Sequence, residues 1–587
     1  MTTQGTPPAI SHAVYGNGKR HAAPPDALRD DTTRYLCAAA HLDKDFANDA
    51  IREFLVESTR PIPPSAGVDA AAVLGEAVAA RTRRKLRDLA VIALLIGLLF
   101  FVSVELLAMW LVVAAVLSVP AMAGAVRKGG LSAKPALYVA GGVGIVVLFV
   151  ILWPEIENML SGLGTSSDYY YEPVATRNEV IADIVLTGLG VAALLAVFLA
   201  DRLVVWRHLN ERFWPNRRTA PLARIHNRNI YQYSPTLFVT QLRRYVDSRA
   251  TIAAPPPHEF SMPTHAEPAP LLVYRDYVPF VGAGMPEKPW SIAVPLERLP
   301  GTRPTAELTT DTLYAAIRKE IESLRDAVTL APGRRLGDLG IGEMVIVSAD
   351  ELIDHLEEPS AADFLDQPGV APFNLLRPGR VQSIKVEPVE WARYYQCYEV
   401  ETWDRDLVLS VFVHVAVGQD ALYVEWTPCV LLPIKKEYRE IDTMSRSLWR
   451  PLLGAVADLL RLPASIPGRL AHTFTFIRAA RQHLGVVSST SYGVSASLRE
   501  LASAPIEDNY FQFADIDRYQ KMMKGRLILA VSRMMRAAGF SPASFDAQAA
   551  TVVNNNVNIG GNVGGNFVAG SHNNVGERAA TADGGRS

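Results

Sequence analysis

The chain has 587 residues, of which 49% are hydrophobic and 20% charged, and its formal net charge is −2. A charge so close to zero excludes the basic surface that nucleic-acid binding requires. Three cysteines, Cys37, Cys397 and Cys429, stand without paired spacing, which excludes a disulfide framework.

Residues 1–32 are polar and rich in Pro, Gly and Ala. They lack an apolar stretch behind a basic start, so they read as a disordered N-terminal tail rather than a signal peptide. Residues 33–85 read as a cytoplasmic helical segment. In TRYLCAAAHLDKDFANDAIREFLVES, Leu36, Ala40, Phe46, Ile51, Phe54 and Leu55 recur near helical spacing, with Asp31 or Thr32 as the cap. PIPPSAG breaks the helix, which resumes over 67–85.

The apolar surplus falls in 86–206. Read against the roughly 20 residues that a spanning helix needs, it predicts four transmembrane helices, at about 87–103, 106–125, 136–153 and 180–200. Basic residues fix the count. Arg81, Arg83, Arg84, Lys85 and Arg87 precede the first helix, Arg127, Lys128 and Lys134 follow the second, and Arg202, Arg207 and Arg212 follow the fourth. The loop before the fourth helix is acidic, with Glu155, Glu157, Asp168, Glu172 and Glu179. An even count keeps all the basic flanks, and so both termini, in the cytoplasm. The helix centres are nearly free of ionisable residues, as befits an anchor rather than a transport path.

Residues 207–252 form a basic juxtamembrane segment, suited either to setting topology or to lying on anionic headgroups. A Pro-rich linker, 253–270, carries His258 and His265, which read as unliganded. Residues 271–500 read as a cytoplasmic α+β domain with an antiparallel sheet. LLVYRDY and WSIAVPLER are strands around a glycine turn, residues 310–328 a helix and EMVIVSA a strand. RYYQCYEVET, DLVLSVFVHVAV and ALYVEWTP form a meander joined by hairpin-length connections. The segment 446–480 suits either a membrane surface or a helix packed on the sheet. Residues 501–550 are a C-terminal helical segment. The Asn/Gly-rich tail, 551–587, reads as disordered, or as a short solenoid or added strand that recruits a protein partner or another copy of the chain.

No motif outweighs its plain reading. Gly282 and Gly284 lie in VGAGMPEKP, which leads into a strand and so is a turn rather than a phosphate loop. Cys397, His414 and Cys429 fall on consecutive strands without the paired spacing of a zinc site. The acids between Asp350 and Glu358 form a solvated helix face. No catalytic, cofactor-binding or metal-binding residue is assigned and no cofactor is expected. The expected partners are the lipid bilayer and, through the tail, a protein.

RYLCAAAHLD, YVPFVGAGMPEKPWSIAVPL and the Asn/Gly tail together resemble a family of uncharacterised multi-pass membrane proteins of actinobacteria, over most of the chain. The resemblance implies a bacterial plasma membrane and carries over no catalytic residue. The expectation is therefore an integral cell-membrane protein acting as a non-enzymatic sensor, scaffold or assembly protein. The alternative is a membrane-tethered enzyme with an unrecognised active site in 271–440. A polar pocket there would favour the enzyme, and an apolar groove the partner-binding role.

Overall fold

The structure is a computed structural model that describes residues 31–57, 59–61, 63, 68–98, 110, 177–213, 268–301, 303–327, 330–366, 371–403, 406–444, 447–474, 492–504 and 510–555. The N-terminal helical stretch is two helices, α1 (Asp31–Leu42) and α2 (Lys44–Leu55), because Asp43 between them turns its carboxylate onto the backbone N–H groups of Asp45 and Phe46 and caps the second. α3 (Ala70–Leu98) follows, then α4 (Arg177–Arg212).

The fold class differs from the expectation of four transmembrane helices. Among the described residues, one helix is long and apolar enough to cross a membrane, by length and composition: α4, over Val185–Arg212, with 11% of its apolar window buried. The predicted span 180–200 lies within α4. Residues 87–98 of the span 87–103 are the end of α3, which begins at Ala70 and carries Arg81, Arg83, Arg84, Arg87 and Asp88 along its length, and residues 99–103 lie outside the described residues. One side of the apolar end of α3 packs, with Val91 and Leu98 buried against Leu194 and Phe198 of α4, while Leu89 and Ile96 are exposed. The span 136–153 lies outside the described residues, as does 106–125 apart from Trp110.

The remainder is a mixed helix-and-sheet fold. Eight strands make one sheet: β1 (Ala269–Tyr274), β2 (Met285–Pro286), β3 (Trp290–Pro295), β4 (Gly340–Ser348), β5 (Leu375–Leu376), β6 (Ala392–Thr402), β7 (Leu407–Val417) and β8 (Ala421–Leu431). Their order is β2-β8-β7-β6-β4-β1-β5, with β3 also on β8. The meander β6–β7–β8 is antiparallel as predicted, with Val411 opposite both Tyr398 and Pro428. The sheet as a whole is mixed, because β1 runs parallel to β4, with Leu271 opposite Val345. β1 and β3, the strands around the glycine turn, do not pair with each other. Their glycine turn carries the chain across the sheet to β8, where Ile292 pairs with Val424.

β7 is buried on both faces, which explains its near-continuous apolar run. One face carries Leu409, Val411, Val413 and Val415 against Leu313, Ile317 and Ile321 of α5 (Thr310–Glu322). α12 (Tyr510–Ala537) packs there too, through Ile516, Tyr519, Met523, Leu527 and Val531, the spacing of a single helix face. Complete burial of each such side chain contributes about 1.5–3 kcal/mol. The other face places Phe412 with Met344, Tyr395, Cys397 and Cys429. α13 (Ala543–Asn555) closes the described chain and takes in the first residues of the segment expected as tail. The tail beyond Asn555 lies outside the described residues.

Within the segment 446–480 the described residues form α9 (Trp449–Leu460) and α10 (Leu462–Phe474), and 475–480 lie outside them. They pack on α4 and α3 rather than on the sheet, burying Ala455 and Leu462 against Leu194 and Phe198. Pro463 sits in the first turn of α10, where its missing N–H has no helical partner to lose, while Pro467 lies within that helix. The short helices α6 (Ala349–Asp354), α7 (Pro378–Val386), α8 (Lys436–Arg439) and α11 (Leu498–Leu501) fill the connections. Asp350, Glu351 and Asp354 of α6 are exposed, the solvated face expected of them.

Candidate functional site

Where α1, α3 and α4 meet, three side chains converge that are far apart in sequence. His41 stands in the last turn of α1, Glu76 in the second turn of α3 and His208 near the end of α4. His41 Nε2 lies 2.7 Å from Glu76 Oε2, and His208 Nε2 lies 3.0 Å from the same oxygen. The imidazole centroids are 4.7 Å apart, and Phe213 meets His208 edge-on. His41 and Glu76 are buried. Burial lowers the His41 pKa to about 4, against the opposing pull of Glu76. Burial pushes the Glu76 carboxyl up, but the hydrogen bonds from His208 and His41 outweigh it and bring it down to about 2.

The surrounding arginines fix this geometry. Arg84 Nη2 donates to the carbonyls of Ala40 and His41, at 2.9 and 2.8 Å, and so satisfies the open C-terminal end of α1. Asp201 of α4 pairs with Arg83 at 3.2 Å and Arg87 at 3.0 Å. One helical turn along α3 from Arg84, Asp88 gathers Arg87 at 2.8 Å, Arg469 at 2.5 Å and His472 at 3.0 Å. Burial raises the Asp88 carboxyl, but His472 and the two arginines hold it down at about 2. A cavity of about 300 Å³ opens between α1, α3, α4 and α9, lined by His41, Arg83, Arg84, Asp201, Trp206 and Arg450 among others.

Residues 289–568 match the family model described as AbeC-like domain. The likeness is to an uncharacterised family, and it bears neither on membrane passes nor on bacterial origin. No curated protein matches the chain, and no solved structure does. The AbeC-like region takes in β3 to β8 and the C-terminal helices, and it leaves out α1, α3 and α4 with their His–Glu–His group.

Within and beside the AbeC-like region the sequence candidates separate. The turn with Gly282 and Gly284 holds an anion that belongs to the chain itself. Both backbone N–H groups donate to Glu500 Oε1 at 2.9 Å, and Glu500 Oε2 accepts from Ser497 N at 2.6 Å. Gly284 has φ +88°, and a Cβ there would lie 2.1 Å from the Val430 carbonyl oxygen, so the position demands glycine. Beside this turn runs a groove of about 430 Å³ walled by Val281, Met285, Val430, Leu432, Leu501 and Ala504. Cys397 lies opposite Phe412, Cys429 opposite Ser410, and His414 opposite Glu425, so they do not converge. Burial pushes both thiols up and the His414 imidazole down, and His414 Nδ1 lies 2.9 Å from the Tyr394 carbonyl oxygen. His258 and His265 lie outside the described residues.

Among the described residues, His41, Glu76 and His208 form the group of potential ligands whose donor atoms all lie within 4.8 Å of one another. Sequence reasoning missed it because Glu76 stands 35 residues from His41 and 132 from His208. The available signal was a lone acid in the apolar helix AAAVLGEAVAA, since a buried carboxylate requires a partner.

Proposed function

We propose that this is a membrane-associated, non-enzymatic scaffold or sensor that holds its AbeC-like region at the inner face of the cell membrane. The observation that carries the reading is an apolar surface built from two distant stretches of chain. Val185, Leu186, Leu189 and Val191 of α4 are exposed, and so are Leu453, Val456 and Leu460 of α9, which packs on α4. Exposed apolar side chains gathered on packed helices mark a membrane or partner contact, and α4 has the length and composition for the former. Arg202, Arg207 and Arg212 toward the end of α4, with Arg217 and Arg218 beyond it, favour the cytoplasm for the sheet domain.

A partner-binding role for that domain, rather than an enzymatic one, draws on the groove beside Gly284. Its walls are mostly apolar, and the Glu500 carboxylate in it is already taken up by backbone N–H groups. The tail from residue 556 onward is the segment we assign to recruiting a protein partner or a second copy. The test is fractionation of the full chain: retention in the membrane pellet through an alkaline carbonate wash is expected. Leu189→Arg combined with Leu453→Arg shifts the protein to the supernatant. Release of the unaltered chain by carbonate would overturn the reading.

A further inference from the structure

We infer that His41, Glu76 and His208 form a binding site for a divalent transition-metal ion, and that zinc is the ion their chemistry suits best. The inference stands on geometry and does not depend on the membrane reading. Two imidazoles and one carboxylate are the donor set of zinc sites that keep further positions for water, whereas calcium and magnesium favour oxygen alone. Ligand atoms around a tetrahedral zinc sit roughly 3.3 Å apart, from metal–ligand distances of about 2.0–2.1 Å. The two nitrogen–oxygen contacts, 2.7 and 3.0 Å, therefore need to open by about half an ångström.

Three further observations point the same way. His41 is 8% exposed, and its Nδ1 has no hydrogen-bond partner. With both Nε2 atoms directed at one carboxylate oxygen, the metal-free site needs a proton on each, which strands the His41 Nδ1 lone pair in the interior. An ion at Nε2 moves the ring proton to Nδ1, and the cavity that His41 lines leaves room for water at the ion's remaining positions. Arg84 anchors the backbone carbonyl of His41, an outer contact that holds a ligand in place. Arg83, whose charge opposes a cation at His41, is paired with Asp201 at 3.2 Å. An ion here would brace α1 against α3 and α4, making their packing ion-dependent.

The experiment uses the full chain in detergent, stripped with a chelator, desalted and titrated with Zn²⁺ alone. Uptake of one equivalent, unaffected by excess Mg²⁺, is expected. His41→Gln with His208→Gln weakens zinc at least about tenfold, while His258→Gln with His265→Gln leaves it unchanged. Because the first pair of changes touches a packed junction, X-ray absorption is read on the unaltered chain as well, where a nitrogen/oxygen shell at about 2.0 Å with imidazole scattering is expected. Failure of the unaltered chain to retain zinc would overturn the inference. So would equal affinity in the His41/His208 variant, or an absorption spectrum with sulfur ligands.

Discussion

The sheet and the helical junction both bury side chains almost completely, yet they do it with opposite chemistry. Around β7 the interior is mainly Leu, Val, Phe and Trp, and its few buried polar groups, such as Gln396, Ser410 and His414, are mostly neutral, with Tyr398 donating to Gln396 and His414 beside the Tyr394 carbonyl oxygen. At the junction of α1, α3, α4 and α10 the interior holds Glu76, Arg84, Asp88 and His472, each matched by a side chain or carbonyl from another helix. An apolar core tolerates loss in proportion to volume. A charged one fails at single atoms, because removing one partner strands the others in the interior.

The sharpest contrast is a matched pair of substitutions. Trp426→Ala deletes the largest fully buried side chain of the sheet and is expected to lower stability by about 3–5 kcal/mol. Asp88→Ala removes far fewer atoms but leaves Arg87, Arg469 and His472 without their shared carboxylate, and about 3–5 kcal/mol is expected there too. Denaturant midpoints of the full chain measure both. Replacing Arg469 by Met in the Asp88→Ala background recovers part of the second loss and none of the first.

Acid separates the two regions in the same way. The Asp88 pKa falls from 3.8 to about 2 on folding. A depressed carboxyl contributes stability that is complete above the unfolded pKa and is lost as pH falls through the folded one. The junction is therefore expected to lose about 2 kcal/mol between roughly pH 5 and pH 2. In Asp88→Asn this component of the acid dependence is absent, so the variant's denaturant midpoint falls less over that range.

The contrast also explains what was legible in the sequence. The meander β6–β7–β8 and the α12 stripe follow from local periodicity, so they could be read residue by residue. The β1–β4 parallel pairing could not, because nothing in LLVYRDY distinguishes a hairpin partner from a crossover partner. The count of four spans failed for a related reason. Val91 and Leu98 have the composition of a lipid-facing helix but pack against α4 and α10, and hydropathy does not tell lipid from a neighbouring helix. The His–Glu–His group was the least legible of all, since no spacing rule links positions 41, 76 and 208.

The glycine turn tests an intermediate case, a charge buried against backbone. Glu500→Gln keeps one oxygen that accepts from Gly282 and Gly284 but removes the charge and the second acceptor, leaving the Ser497 N–H without its partner, and charge-assisted bonds are about twice as strong as neutral ones. The expected loss is about 1–2 kcal/mol, read from the same denaturant midpoint. Gly284→Ala, whose Cβ would collide with the Val430 carbonyl oxygen, is expected to exceed it.

The smallest effect serves as the control. Arg207 and Glu211 pair at 2.7 Å on α4, beside His208, but their side chains are 75% and 49% exposed. Water already solvates both charges, so Glu211→Gln is expected to change stability by only about 0.3–0.5 kcal/mol. The pair belongs to the same helix that carries Asp201 and His208, and its contact is as short as many in the junction. If Glu211→Gln lowered the midpoint as much as Asp88→Ala, burial would not be what gives the junction charges their weight. The contrast with the sheet would then reduce to the number of ion pairs rather than their depth.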